Sequence, residues 1–220
     1  VLYVEDLTDL EREEQLRRWW SENWLWIFGG IALGMALLWG WQYWQRSRLA
    51  QAQQDLTAYQ AVITSLGQSK FDEAVAEARA LRDRHPASPY ADQSDLALAR
   101  MAAEEQKLDV AAQHLRSVMD ASKDPELRTV ARSRLARVLI AQDKSDEAIT
   151  LLDMAEAGAF AALYHELRGD AYAAKGDAAA ARREYDEALG PQNSAAGLDR
   201  AYVELKRDQL PATPQPAGKP

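Results

Sequence analysis

The chain contains no cysteine. This excludes disulfides, thiolate nucleophiles and cysteine-ligated metals, and a thiol-free chain can enter an oxidising compartment without mispairing. Histidine is almost as scarce. His85, His114 and His165 lie far apart, and none has a His or Glu three or four residues away that would aim two ligands at one metal from a helix face. Each reads as an ordinary helix-surface or turn residue. There is no G-x-S-x-G elbow and no glycine-rich loop followed by Lys-Ser or Lys-Thr. Neither a metal nor an organic cofactor is expected, and no enzyme activity is. Positive charge is in deficit as well, with 26 Lys and Arg against 34 Asp and Glu and a net charge of −8. Nucleic acid is therefore not an expected partner, because a phosphate-binding face needs clustered Lys and Arg.

The longest shortage of charge lies between Glu22 and Arg46, where no ionisable acid or base occurs. That interval is a rod of roughly 34 Å at about 1.5 Å per helical residue, enough to cross a hydrocarbon core. All seven tryptophans fall between Trp19 and Trp44. Trp19, Trp20, Trp24 and Trp26 crowd one end, while Trp39, Trp41 and Trp44, with Tyr43, crowd the other. Amphipathic rings favour the two headgroup levels, so the pattern is a pair of aromatic belts around a Gly/Ala/Leu/Ile middle. A transmembrane helix over 23–45 is expected, with the lipid bilayer as its surroundings.

A signal peptide would have a basic leader, a shorter apolar run and a small-residue cleavage site. Here the leader is acidic, the run is long, and the A-x-A match Ala50-Gln51-Ala52 lies beyond Arg46 and Arg48, which reads as an uncleaved anchor. Arg12, Arg17 and Arg18 precede the span, a slight excess over Arg46 and Arg48 after it. That bias, and the ease with which long domains translocate whatever their charge, favour a cytoplasmic N-terminus and an exported C-terminal domain. Gly30 and Gly34 share one face of the span, and a glycine face lets another helix backbone approach closely. The partner would be a second copy, giving a homo-oligomer, or another membrane protein; glycine is also common in membrane helices without such a role.

The organisation that follows is an acidic tail over 1–22, the span over 23–45, a helical domain over 46–210 and a Pro-rich tail, expected to be disordered, over 211–220. The tail carries Leu7, Leu10, Leu16 and Trp19 at helix-like spacing. The domain repeats. Ala74, Ala111, Ala148 and Ala181 each open a second helix, at intervals of 37, 37 and 33 residues by subtraction. Val62, Ala99, Ala136 and Gly169 precede them at a constant offset, and Ala78, Leu115, Leu152 and Tyr185 follow four residues later. A period near 34 with a helix–turn–helix layout is the signature of tetratricopeptide repeats. Helices that cross closely need small residues at the crossing and a large one to fill the next gap. About four pairs are expected, then a capping helix over Ser194 to Leu210 with Leu198, Tyr202 and Leu205 facing inward. The fold class is all-α: one N-terminal transmembrane helix and a tetratricopeptide-like α-solenoid.

In such a stack the first helices of successive pairs line a concave groove. Carrying the repeat register along places Gln93, Arg100, Ser133, Arg137, Glu166 and Asp170 on that surface. Arg100 and Arg137 lie toward one end and Glu166 and Asp170 toward the other, a polarity suited to orienting an extended peptide or partner loop. The densest basic cluster is Arg128, Arg132, Arg134 and Arg137, although arginine stems also simply cover apolar surface.

The run Glu14-Gln15-Leu16-Arg17-Arg18-Trp19-Trp20-Ser21-Glu22-Asn23, then Gly30-x-x-x-Gly34, then Gly40-Trp41-Gln42-Tyr43-Trp44, and Ala58-Tyr59-Gln60 beyond the span, resembles the ancillary SecYEG translocon subunit family, the YfgM-like proteins. The likeness covers nearly the whole chain apart from its C-terminal end. The sequence departs from the family where Gly-Lys usually follows the Glu-Asn pair, having Trp24-Leu25 instead. The resemblance implies a single-span inner-membrane protein with a periplasmic domain. It further implies association with the SecYEG translocon and with a PpiD-like periplasmic chaperone that helps newly exported proteins. Two other readings stay open on the residues alone: a periplasmic adaptor for envelope assembly or cell division, and a cytoplasmic regulator held by a reversed anchor.

Overall fold

The computed structural model describes residues 9–191 and 198–211. The first part of the acidic tail, the start of the expected capping helix and nearly all of the Pro-rich tail lie outside the described residues. Among those described, every regular element is helical: α1 (Asp9–Gly67), α2 (Phe71–Arg84), α3 (Pro89–Glu104), α4 (Leu108–Ala121), α5 (Pro125–Ala141), α6 (Ser145–Leu151), α7 (Ala161–Ala174), α8 (Ala178–Ala188) and α9 (Arg200–Asp208). The chain divides into two compact units between Gln53 and Gln54.

In the first unit, α1 carries an apolar stretch long enough to cross a membrane, and none of that stretch is buried within the protein. Trp26 and Trp39 are 81% and 78% exposed. A core helix of a water-soluble domain would bury such rings, whereas a helix in lipid needs no protein cover for them. The belts are internally packed. The Phe28 ring meets Trp20 and Trp24 edge-on at 6.4 and 6.1 Å, and Arg48 lies 4.0 Å over the Trp44 ring, a cation–π pair at one end of the apolar stretch. The polar side chains at the other end turn back on the helix: Ser21 Oγ donates to the Arg18 carbonyl and Asn23 Nδ2 to that of Trp19.

The second unit is a stack of helix pairs: the end of α1 with α2, α3 with α4, α5 with α6, and α7 with α8. Ala74, Ala111, Ala148 and Ala181 are all fully buried near the start of the second helices, as the repeat register requires. Each pair turns in the same way. Ser69, Gln106, Asp143 and Gly176 have φ of 59°, 61°, 61° and 79°. Just beyond them, the amides of Lys70, Lys107, Lys144 and Asp177 donate to the carbonyls of Ser65, Ala102, Leu139 and Tyr172 at 2.8–2.9 Å. This six-to-one bond with a left-handed residue is the Schellman ending, which satisfies carbonyls that a helix terminus leaves free. Three of the four turns place a side chain in the left-handed region at a cost of about 1 kcal/mol each, and the fourth avoids that cost with glycine. Pro89 and Pro125 sit at the first positions of α3 and α5, where no amide hydrogen is needed. Asp124 accepts from the amides of Glu126 and Leu127 and so caps α5.

Three features differ from the sequence reading. First, α6 stops at Leu151: Asp153 accepts from the Ala155 amide and opens a 3-10 turn, and a second such turn begins at Gly158 with φ +49°. The third pair therefore has a truncated second helix. Second, α9 buries Val203 instead of Tyr202 and Leu205, each of which is half exposed; Leu198 is only partly covered. Asp199 caps α9 by accepting from the Tyr202 amide, and the inward stripe runs through Val203, Lys206 and Leu210. Third, the histidines are not simple surface residues. Nδ1 of His85, His114 and His165 lies 2.5, 2.8 and 2.8 Å from Asp55, Asp95 and Glu184, each carboxylate on a different helix or turn from its histidine.

Asp95 is the most connected of these acids. It sits on α3, accepts from Arg82 of α2 at 2.5 Å, from Ser117 of α4 at 3.0 Å, and faces His114 of α4. Arg82 also donates to Asp92 at 2.8 Å. Two consecutive pairs are thereby joined through one buried carboxylate. Burial alone would raise its pKa, but the bonds from His114 and Arg82 outweigh that and hold it below the ordinary 3.8. A lowered carboxylate pKa contributes stability that is present above the unfolded value and lost as pH falls through the folded one. Stability is therefore expected to drop below about pH 4, and Asp95→Asn should flatten that acid limb while costing about 1–3 kcal/mol near neutrality, because Arg82 keeps Asp92 but loses its second carboxylate. Urea unfolding of wild type and variant across pH measures both.

Gly169 leaves no room for a side chain at its crossing. A Cβ there would lie 2.5 Å from Cδ1 and Cε1 of Tyr185. That ring is buried and its hydroxyl donates to Asp170 at 2.8 Å, so it cannot swing aside freely. Gly169→Ala gains about 1 kcal/mol in helix propensity but overpacks the crossing by about 1–3 kcal/mol. A lowered midpoint in thermal unfolding is expected, with Tyr185→Leu in the same background restoring part of the loss.

Candidate binding surfaces

Six polar positions follow from the repeat register, and they fall into four situations. Arg100 and Arg137 line one cavity of about 320 Å³ between α3 and α5, floored by Ala99, Ala103, Leu115 and Val138. Arg134, one turn before Arg137 on α5, lines it too, as does Glu104. Arg100 donates through Nε to Glu104 at 2.8 Å on its own helix. Arg134 and Arg137 have no acidic partner among the described residues, and both are exposed. The same basic cluster is used differently at its other members: Arg132 pairs with Glu156, and Arg128 donates to the Ser122 carbonyl.

Ser133 corrects the register-based placement. It is 2% exposed, and its hydroxyl donates to the Thr129 carbonyl at 2.9 Å, so it packs between helices and presents nothing to an open groove. Gln93 remains exposed on α3.

Glu166 and Asp170 are brought together on α7, one turn apart, but the chain itself engages them. Lys206 of α9 donates to Glu166 Oε1 at 2.8 Å and to Asp170 Oδ2 at 2.9 Å, while its ammonium also lies 4.6 Å over the Tyr202 ring. Burial works against the charged lysine, but its bonds to Glu166 and Asp170 outweigh this and raise its pKa above 10.5. Burial, and then the Asp170 charge, push the Tyr185 hydroxyl well above its usual value, so it keeps the proton that it donates to Asp170. Both carboxylates at the acidic end of the first-helix face are thus engaged by α9. Reading the sequence by apolar stripes could not find Lys206. The signal available was a lysine in register with Val203 and Leu210 on a helix otherwise short of inward apolar residues.

In the first unit, a Cβ built on Gly30 or Gly34 meets nothing within 4 Å, so that face of the span is open to an approaching helix.

Compared with known families, the chain matches the family described as Tetratricopeptide repeat-like domain over residues 17–212. It is also similar to proteins named "Ancillary SecYEG translocon subunit". The one from Neisseria gonorrhoeae (strain ATCC 700825 / FA 1090) is 32% identical over 208 residues, 91% of this chain and 98% of the relative. This chain belongs to the ancillary SecYEG translocon subunit family, whose domain is tetratricopeptide repeat-like. The relative from Escherichia coli (strain K12) is 29% identical over 176 residues, covering 80% of this chain and 84% of its own length. The relative from Haemophilus influenzae (strain ATCC 51907 / DSM 11121 / KW20 / Rd) is 29% identical over 198 residues, 89% and 94% respectively. The family match begins before the apolar stretch and extends through α9, so it takes in both the anchor-like helix and the stack.

Lys206→Met keeps the aliphatic stem and removes the charge. It should leave Glu166 and Asp170 facing each other unscreened and loosen α9. Amide hydrogen exchange should quicken in α9 on the order of tenfold while α3 to α5 stay unchanged.

Proposed function

We propose that this chain is a membrane-anchored, non-catalytic subunit of the SecYEG translocon, with its N-terminal tail in the cytoplasm and its helix stack in the periplasm. There it links the translocon to a PpiD-like chaperone that receives newly exported proteins. One observation carries the reading: near full-length similarity to proteins named as ancillary SecYEG translocon subunits, running through both the apolar stretch and the helix pairs. The geometry agrees with it. A helix with exposed apolar rings along one uncharged stretch suits lipid, and a stack of amphipathic helix pairs offers large surfaces for protein partners without assembling reactive groups. Gly30 and Gly34 are the positions at which a neighbouring membrane helix, of the translocon or of a second copy, would come closest.

The test is a photo-crosslinking residue placed at Gly30 in the full chain, expressed in bacterial membranes beside a C-terminal alkaline phosphatase fusion. Crosslinks to translocon subunits together with phosphatase activity are expected. Phosphatase inactivity with a cytoplasm-only reporter active at the same position would overturn the orientation. Capture of envelope-assembly or division proteins to the exclusion of translocon subunits would overturn the partner.

A further inference from the structure

We infer that the cavity between α3 and α5 is a docking site for an acidic segment of a partner protein, with Arg134 and Arg137 binding its carboxylates and the apolar floor taking a neighbouring aliphatic side chain. This deepens the adaptor reading and rests on the stack being a protein-binding surface, although its chemistry does not depend on which protein the span contacts.

The charge pattern carries the inference. The chain has a net charge of −8, and most of its arginines and lysines near this face are already spoken for. Arg100 is held by Glu104, Arg132 by Glu156, and Lys206 by Glu166 and Asp170. Arg134 and Arg137 alone among this set lack a carboxylate, lie one turn apart on α5, and open onto the same cavity. A guanidinium pair on one helix face presents planar donors that match carboxylates bidentately. Two unpaired arginines on an acidic protein also focus a local positive field that steers an acidic partner toward the cavity.

The floor decides between kinds of anion. Ala99 and Ala103 of α3 are small residues one turn apart, and with Leu115 and Val138 they leave about 320 Å³ lined by hydrocarbon beneath the guanidinium groups. A phosphate or lipid headgroup has nothing to place there. A peptide with alternating acidic and aliphatic side chains fills both parts, its carboxylates above and its methyl groups below. Ser133, buried with its hydroxyl on the Thr129 carbonyl, and Glu166 and Asp170, both engaged by Lys206, supply no competing polar anchor.

The probe is a short fluorescein-labelled peptide of alternating Glu and Leu, titrated by fluorescence anisotropy into the full chain held in nanodiscs of zwitterionic lipid. Its twin has Gln in place of Glu. Saturable binding of the Glu peptide is expected, weakening with salt and falling at least about tenfold in R134Q/R137Q, while the Gln twin binds at least about tenfold more weakly to wild type. Both arginines are exposed and have no acidic partner among the described residues, so the variant should retain the wild-type melting curve. Equal binding of the two peptides, or unchanged binding in R134Q/R137Q, would overturn the site. Displacement of the peptide by phosphatidylglycerol vesicles, dependent on the same arginines, would overturn the peptide assignment in favour of a lipid surface. No translocon is present in this assay, so its failure leaves the crosslinking result standing, and the reverse also holds.

Discussion

Close approach within each helix pair is the constraint on which the helical stack depends. At the crossing, two backbones come near enough that one partner must give up side-chain volume, and the space left beyond it must be filled by something large. Ala74, Ala111, Ala148 and Ala181 meet the first condition on the second helices, and Val62, Ala99, Ala136 and Gly169 meet it on the first. Leu115, Leu152 and Tyr185 supply the fill. At Gly169, where a Cβ would collide with the Tyr185 ring, that filling ring is also tied by its hydroxyl to Asp170, so packing and hydrogen bonding hold the same geometry. A pair cannot bury its own apolar face alone, so each one leans on its neighbours and the core runs on from pair to pair.

Polar contacts within and between pairs add direction to that packing. Asp95 ties α2, α3 and α4 together, and Glu184 of α8 takes both His165 and Arg168 of α7. These acids are largely buried, and a buried charge with good partners specifies one arrangement more than it adds stability. Three histidines, each beside a carboxylate, recur as inter-helix ties in a chain that has only those three.

The parts of this structure visible in the sequence were those written in volume and period: the uncharged stretch with its tryptophan belts, the alanine spacing, and the all-helical pairs. The turns were also written there, as lysines at 70, 107 and 144 in step with the alanines, but a left-handed Ser, Gln or Asp carries no compositional mark as glycine does. The shortening of α6 rests on one aspartate bonding its local backbone, a choice that competes with helix only once the surrounding packing is set. The face of α9 was hidden for a stronger reason. Leu198, Tyr202 and Leu205 have proper helical spacing, and so do Val203, Lys206 and Leu210. The second stripe wins because Lys206 meets two carboxylates some forty residues away, Glu166 and Asp170, and no local pattern encodes such a partner.

That same contact shapes what the first-helix face can bind. Had Glu166 and Asp170 remained free, the face would have had a negative end and a positive end, able to orient an extended ligand by both. With Lys206 laid against them, both carboxylates of the negative end are engaged within the chain, while Arg134 and Arg137 have no acidic partner among the described residues. Charges already paired inside a protein contribute little to a partner's approach, whereas unpaired ones beside an apolar floor contribute both attraction and registry. The terminal helix therefore does more than cover the last pair. By engaging the carboxylates of α7, it leaves the α3–α5 cavity as a place on this face where, among the described residues, arginines without an acidic partner stand over exposed hydrocarbon.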